Sequence, residues 1–160
     1  MTAERMTAEH WLAEAIDLAT TNVARGGGPF GALVVRGDEV IARGVNRVTA
    51  DLDPTAHAEV VAIRTACQTL GDFRLHGLTL VSSCEPCPLC LSAALWSRLD
   101  RVIYAADRED AAKAGFADSE FYDVLARPRD TWPLKVDHHR PGTESAPFTA
   151  WTTRPDRTDY

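Results

Sequence analysis

Three of the four cysteines in this 160-residue chain lie within seven residues, in the stretch Cys84-Glu-Pro-Cys87-Pro-Leu-Cys90. In a reducing compartment, such clustering favours metal binding over disulfides. Pro86 suits the first turn of a helix, because proline needs no amide partner there. Cys87 and Cys90 then share one helical face, where the free amides of the helix start favour thiolates. The stretch therefore predicts two sulfur ligands for one ion.

A second motif, His57-Ala58-Glu59, opens another predicted helix, over about residues 57–70. The imidazole of His57 would be the third ligand, and three protein ligands leave zinc a fourth position for water. Glu59 lies two residues further on and so points away from the metal. It suits a carboxylate that takes a proton from water and passes it to a departing amine. His-x-Glu together with Pro-Cys-x-x-Cys is the signature of zinc-dependent nucleobase deaminases.

Two different interpretations of the cysteines remain open at this point. Cys84 has the same spacing to Cys87 as Cys87 has to Cys90, so a closed four-ligand zinc site is conceivable. We expect Cys84 instead to end the preceding strand, outside the helical face, and Cys67 to be a small buried residue within a helix. A structural zinc or interaction module is the competing class of function. The absent fourth ligand and the position of Glu59 both argue against it.

The charge and hydropathy of the chain exclude several other classes. A net charge of −6 argues against a broad nucleic-acid surface, which needs a surplus of Lys and Arg. The chain contains no apolar run long enough to cross a membrane, and its first residues do not resemble a secretory signal. We therefore expect a cytoplasmic protein that acts on a small substrate.

The periodicity predicts one layered α/β domain over residues 1–160, whose sheet begins with an antiparallel hairpin. The Gly-rich stretch at residues 25–29 is interpreted as a tight connection, because the Lys-Ser/Thr pair of a phosphate-binding loop does not follow it. Strands are predicted at residues 30–35, 40–45, 78–83, 101–106 and, less regularly, 134–138. Helices are predicted at residues 10–24, 57–70, 87–99 and 108–114, and near Ser119.

Beyond these motifs the chain resembles the cytidine deaminase superfamily, and in particular its bacterial guanine deaminase branch. The resemblance covers nearly the whole chain, and its most specific stretches are residues 28–32, 53–60, 83–87, 110–116 and 147–151. It implies a three-layer α/β/α fold with a mixed sheet of about five strands and helices on both faces. By position it places the Zn²⁺ ligands on His57, Cys87 and Cys90 and the proton shuttle on Glu59.

The resemblance also implies a substrate pocket. It assigns Asn46 to hydrogen bonding with the base and Asp118 to a second catalytic carboxylate. Read alone, Asn46 could be a turn residue and Asp118 a helix cap. Further pocket residues carried over by position are Phe30, Ala58, Trp96, Phe148 and Tyr160.

The same branch implies a homodimer in which the C-terminal segment, from about residue 140, crosses to cover the partner's active site. Guanine is the expected substrate, giving xanthine and ammonia. Ala117 and Val81 depart from the residues common in the branch and leave room for nucleosides such as guanosine, cytidine or adenosine. Cytosine-type bases, aminotriazines and, less readily, the adenosine of a transfer RNA are further candidate substrates.

Overall fold

The fold is built on a mixed sheet of four strands, β1 (Gly31–Arg36), β2 (Glu39–Val45), β3 (Thr79–Cys84) and β4 (Arg101–Ala106), in the order β2-β1-β3-β4. They are seen in a computed structural model that describes residues 7–160, apart from the side chain of Asp118. Strand β1 is antiparallel to both β2 and β3, whereas β3 and β4 are parallel. The predicted opening hairpin and mixed sheet are thus confirmed, with four strands where about five were expected.

Seven helices are assigned among the described residues. They are α1 (Ala8–Ala24), α2 (Val48–Asp51), α3 (Ala58–Leu70), α4 (Pro88–Trp96), α5 (Arg108–Lys113), α6 (Asp118–Ala126) and α7 (Ala146–Thr153). A 3₁₀ turn lies at Arg129–Thr131. Helix α4 ends three residues before the predicted boundary, and the short α2 was not predicted. No described helix has the length and apolar character needed to span a membrane.

The strand β1 is buried on both faces because a helix covers each of them. Alternate side chains of a strand point to opposite faces of the sheet. Leu33 and Val35 pack with Trp11 of α1. Ala32 and Val34 face the other way and pack with α3, in a larger cluster that also holds residues of β3. The expected layers of helix, sheet and helix are therefore present.

The approach of α3 to the sheet is unusually close, and a glycine makes it so. A Cβ on Gly44 of β2 would lie 2.2 Å from the backbone oxygen of Ala58 and 2.6 Å from the backbone nitrogen of Ala62. Only glycine leaves space for this contact. As a result, the start of α3 is held directly against β2.

The predicted strand at residues 134–138 is wrong, because these residues form no regular element. Leu134 and Val136 alternate with polar neighbours, but their side chains are 67% and 48% exposed. An alternating pattern forms a strand only where a neighbouring strand supplies hydrogen bonds. None of the described strands pairs with this segment.

The contacts within the chain divide it into one unit that ends at Val124 and a second that comprises Leu125–Tyr160. The second unit contains the 3₁₀ turn and α7. Within it, the rings of Trp151 and Tyr160 meet edge to face with centroids 6.1 Å apart. The indole nitrogen of Trp132 donates a hydrogen bond to the backbone oxygen of Arg127.

Candidate metal centre and active site

Two helix starts bring together three potential metal ligands. His57 is the residue before α3, Cys87 is the residue before α4, and Cys90 lies in the first turn of α4. The Nδ1 atom of His57 lies 3.5 Å from Sγ of Cys87 and 3.4 Å from Sγ of Cys90, and the two sulfurs are 3.7 Å apart. Among the described residues, no other group of three His, Cys, Asp or Glu side chains is arranged to hold a metal ion.

These distances fit a tetrahedral zinc ion. With Zn–S bonds of about 2.3 Å and Zn–N bonds of about 2.0–2.1 Å, two sulfurs lie about 3.8 Å apart and a sulfur and a nitrogen about 3.6 Å apart. The triangle of His57, Cys87 and Cys90 matches both values to within a few tenths of an ångström. One nitrogen and two sulfurs are also a donor set that zinc prefers. The residues present therefore fit the ion.

The charge on the two thiols is divided unequally when only protein groups surround them. The hydrogen-bonding contact between the two sulfurs, together with the nearby His57, lowers the pKa of Cys87 to about 4. The hydrogen bond to Cys87 and burial raise the pKa of Cys90. A zinc ion held by both sulfurs would bind them as thiolates, so metal binding would release the proton of Cys90.

Glu59 is a buried carboxyl beside this triangle, with only 5% of the residue exposed. Its Oε1 atom accepts a hydrogen bond from the hydroxyl of Ser82 at 3.0 Å, and its Oε2 atom lies 3.4 Å from Sγ of Cys90. Burial raises the pKa of Glu59, and the hydrogen bonds from Ser82 and Cys90 only partly oppose this. A buried carboxyl whose pKa is raised above its ordinary value holds a proton more readily, which suits a group that accepts and returns one.

Glu59 and two of the potential ligands open onto a cavity of about 440 Å³. This volume lies within the range of small-molecule sites. The cavity is bordered by a Gly-rich loop, an aromatic pair and several polar groups. They are Gly26, Gly27, Gly28, Phe30, Asn46, Val48, Thr49, Pro54, His57, Glu59, Glu85, Cys87 and Phe116. A potential metal centre, a buried acid and an amide side chain thus face one space.

Residues 5–106 match the family described as the cytidine and deoxycytidylate deaminase zinc-binding region. The chain belongs to this family. It is 44% identical to guanine deaminase of Bacillus subtilis, over 97% of this chain and 100% of that protein. The crystal structure of Bacillus subtilis guanine deaminase superposes with a TM-score of 0.93, and the match covers 97% of this chain and 99% of that one.

More distant deaminases match a smaller part of the chain. The guanine deaminase structure from Nitrosomonas europaea is 32% identical, with a TM-score of 0.67, and the match covers 72% of this chain and 69% of that one. The tRNA-specific adenosine deaminase of Bacillus subtilis is 40% identical over 61% of each chain. The protein is accordingly a zinc-dependent deaminase, a hydrolase of C–N bonds.

Not every pocket residue predicted for the deaminase borders the cavity. Phe30 and Asn46 do, whereas Ala58 is fully buried in the core between α3 and the sheet. Trp96 ends α4, is 65% exposed and is absent from the cavity lining. Asp118 begins α6, but its side chain lies outside the described part of the structure.

Two further predicted pocket residues, Phe148 and Tyr160, belong to the second unit. They border a small cavity there together with Pro147, Trp151 and Asp159. The predicted end of β3 at Cys84 is also observed. Cys84 does not belong to the ligand triangle, and its Sγ atom lies 3.7 Å from the backbone oxygen of Asp107.

The structure adds residues that the sequence did not indicate. The ring of Phe116 meets that of Phe30 edge to face, with centroids 4.9 Å apart, and both border the cavity. The buried Asn22 donates from Nδ2 to the backbone oxygens of Gly28 and Asn46, at 2.8 and 2.9 Å. It thereby ties the Gly-rich loop to the residue after β2. A single asparagine near the end of a helix is a weak sequence signal, because nothing in the local pattern indicates that it also reaches Asn46.

Proposed function

We propose that this zinc-dependent deaminase hydrolyses guanine to xanthine and ammonia. The observation that carries the proposal is the 44% identity to a guanine deaminase over 97% of this chain and all of the relative. The cavity suits a planar base, because it combines an amide side chain, a buried acid and an edge-to-face aromatic pair. We assign the zinc ion to His57, Cys87 and Cys90.

The reaction joins the oxygen of water to the amino-bearing ring carbon and breaks the bond from that carbon to nitrogen. When bound, zinc supplies a water molecule acidic enough to act as a nucleophile near neutral pH. Glu59 accepts the proton that the water gives up and delivers it to the departing amino group, which leaves as ammonia. Ser82 holds Oε1 of Glu59 in place, so Oε2 is the oxygen we assign to proton transfer.

Asn46 is the residue we assign to base recognition. A carboxamide offers both a donor and an acceptor, as the edge of a purine requires. Its own position is fixed by backbone contacts, since its backbone nitrogen donates to the oxygen of Phe30 and its backbone oxygen accepts from Asn22. Phe30 and Phe116 would border the flat face of the base. Asp118 would assist the departing amine from the start of α6.

We further propose that the whole of residues 1–160 is one deaminase domain that works as a homodimer. The segment from about residue 140 would cover the partner's active site, with Phe148, Tyr160 and Trp96 completing the pocket. In support, Leu95 and Trp96 of α4 are 72% and 65% exposed, and Phe148 is 71% exposed. Aromatic side chains are enriched at the interfaces between protein subunits. The free thiols of the metal centre suit a reducing compartment such as the cytoplasm.

The substrate is tested by measuring ammonia release from guanine, guanosine, cytidine, cytosine, adenine and an aminotriazine. Guanine is expected to turn over fastest. Turnover of guanosine or cytidine with guanine inert would contradict the assignment. A transfer RNA with adenosine at the wobble position serves as a further arm, and the net charge of −6 leads us to expect no reaction with it.

The exchanged lid is tested by mixing two inactive chains. One carries Glu59→Gln, and the other carries Phe148→Ala with Tyr160→Ala. If the segment serves the partner, a mixed dimer contains one intact site, and activity returns on mixing. Light scattering that gives the mass of a monomer, or mixtures that stay inactive after exchange, would contradict the swapped dimer.

A further inference from the structure

A closed ring of contacts joins the loop before Cys87 to helices α5 and α6. At its centre, Arg108 donates from Nη2 and Nε to Oε1 of Glu85, at 2.6 and 3.1 Å. The backbone nitrogen of Arg108 also donates to Oε2 of Glu85, at 3.0 Å. The carboxylate of Glu85 therefore receives three hydrogen bonds from one residue, at the first position of α5.

The ring of contacts is completed by an aromatic side chain, that of Tyr122. The guanidinium of Arg108 lies over the ring of Tyr122, 3.9 Å from its centroid. The hydroxyl of Tyr122 donates to the backbone oxygen of Pro86. Because Pro86 follows Glu85 and precedes Cys87, both ends of the ring return to the same loop.

A backbone contact also supports the loop on this side. The backbone nitrogen of Glu85 donates to the oxygen of Ala106 at 2.8 Å, which ties the loop to the end of β4. The side chain of Glu85 is 13% exposed and that of Arg108 is 39% exposed, so the pair is only partly screened by solvent. A flat guanidinium can bind a carboxylate through two nitrogens while stacking on a ring. A lysine ammonium cannot do both.

We infer that Arg108 is a positioning residue. Through Glu85 and Tyr122 it fixes the position of the zinc-ligand loop, residues 85–87, relative to α6. Cys87 follows Pro86 directly, so the ring of contacts fixes the backbone from which the side chain of Cys87 projects. Helix α6 begins at Asp118, one turn before Tyr122. The ring therefore also fixes the start of the helix that carries the proposed second carboxylate. Only this last part rests on the proposed function; the part concerning zinc does not.

The test measures how fast the zinc-loaded protein releases its metal to an excess of chelator, followed with a metallochromic indicator. Groups that orient metal ligands typically change affinity by roughly 10-fold to 100-fold when altered. We expect Arg108→Lys to release zinc about 10-fold faster, and Tyr122→Phe to release it faster than the wild type by a smaller factor, because this variant loses only one contact.

Arg74→Lys is the matched control. Arg74 also donates from Nε to a carboxylate, that of Asp72 at 3.1 Å, and lies over the ring of Phe73 at 5.0 Å. Arg74 lies before β3 in the chain, whereas the zinc-ligand loop lies after this strand. Zinc release from this variant should match the wild type.

A merely structural role would lower the melting temperature without changing zinc release from the folded protein. The rates are therefore measured at a temperature at which every variant is folded. Wild-type release rates in both Arg108→Lys and Tyr122→Phe would overturn the inference. Should Arg108→Lys fail to fold, Tyr122→Phe decides the question, because it keeps the stack and removes only the bond to Pro86. A protein that leaves guanine unchanged would overturn the proposed substrate but would not affect this measurement.

Discussion

Two cavities meet at the aromatic pair of Phe30 and Phe116, and they differ in the chemical groups that line them. The cavity beside His57 and Glu59 has a volume of about 440 Å³. The second, which we term the apolar groove, has about 650 Å³ and runs between α1, β4 and α5. Its lining is Ile16, Ala19, Thr20, Val23, Ala24, Pro29, Phe30, Ser83, Cys84, Ala105, Ala106, Asp110, Ala111, Ala114 and Phe116. The larger cavity is thus lined by fewer side chains that could take part in a reaction.

The difference follows from which parts of the helices face each cavity. The apolar groove is bordered mainly by alanine and other apolar side chains of α1, β4 and α5. The smaller cavity faces the starts of α3 and α4, where free backbone amides favour anionic groups. Cys84 and Cys87 make the contrast sharpest, since they are three residues apart and border different cavities. In this protein the potential metal ligands lie at helix starts, and the size of a cavity does not indicate where they are.

The largest expected effect separates these two cysteines. Cys87→Ser should abolish activity and reduce bound zinc well below one ion per chain, because a ligand is lost. Cys84→Ser, on the side of the groove, should keep its zinc. Metal content by atomic emission checks both variants. Equal loss of zinc from the two would mean that Cys84 is also a ligand.

The next effect concerns the acid beside the ligands. Glu59→Gln keeps the shape of the side chain but removes its capacity to accept a proton, so kcat should fall by about 10²–10⁴-fold. Zinc content should stay at the wild-type level, since Glu59 is not a member of the ligand triangle. Unchanged turnover in a zinc-loaded variant would contradict the assigned role and favour a structural zinc site.

The wall between the two cavities gives a smaller effect. Phe116→Ala removes the edge-to-face pair with Phe30, and such pairs contribute about 0.5–1.5 kcal/mol. We expect kcat/KM to fall by about 2-fold to 10-fold, as this range of energy implies, while zinc is retained. Phe116→Leu keeps the apolar wall and should lose less. If both variants match the wild type in steady-state kinetics, the pair does not shape the substrate site.

Asn22 tests whether the Gly-rich loop supports the cavity. Asn22→Ala removes a donor from the oxygen of Gly28, which keeps the backbone nitrogen of Phe30, and from the oxygen of Asn46, at a cost of about 1–3 kcal/mol in the free energy of unfolding. KM should rise more than kcat falls, because Asn46 loses a support. In an Asn46→Ala background the further rise in KM should vanish. Additive effects on KM would show that Asn22 does not act through Asn46.

The smallest effect lies in the apolar groove. Ile16→Ser alters its wall at a residue that is 43% exposed, so the free energy of unfolding should change by no more than about 0.5 kcal/mol. Turnover and zinc content should match those of the wild type. A loss of activity accompanied by a change in the mass measured by light scattering would show instead that this groove is an interface between subunits.

Local sequence patterns were sufficient for the ligand set and for most elements. The starts of α3 and α4 were predicted from the proline and turn residues that precede them, and those starts carry His57, Cys87 and Cys90 at fixed spacing. Alternation alone was not sufficient at residues 134–138, where no described strand pairs with the segment. Trp96 was assigned to the pocket by its position in the family pattern, yet within one chain it lies largely exposed at the end of α4.

The sequence by itself predicted the three potential metal ligands and the carboxyl proposed to move the proton, because those residues lie within a few positions of a helix start and local geometry orients them. Only the tertiary structure decided that Phe116 closes the cavity, that Asn22 ties Gly28 to Asn46, and that Arg108 reaches both Glu85 and Tyr122. Each of these contacts joins segments far apart along the chain. Their distances depend on how the helices pack on the sheet, which no spacing within one segment encodes.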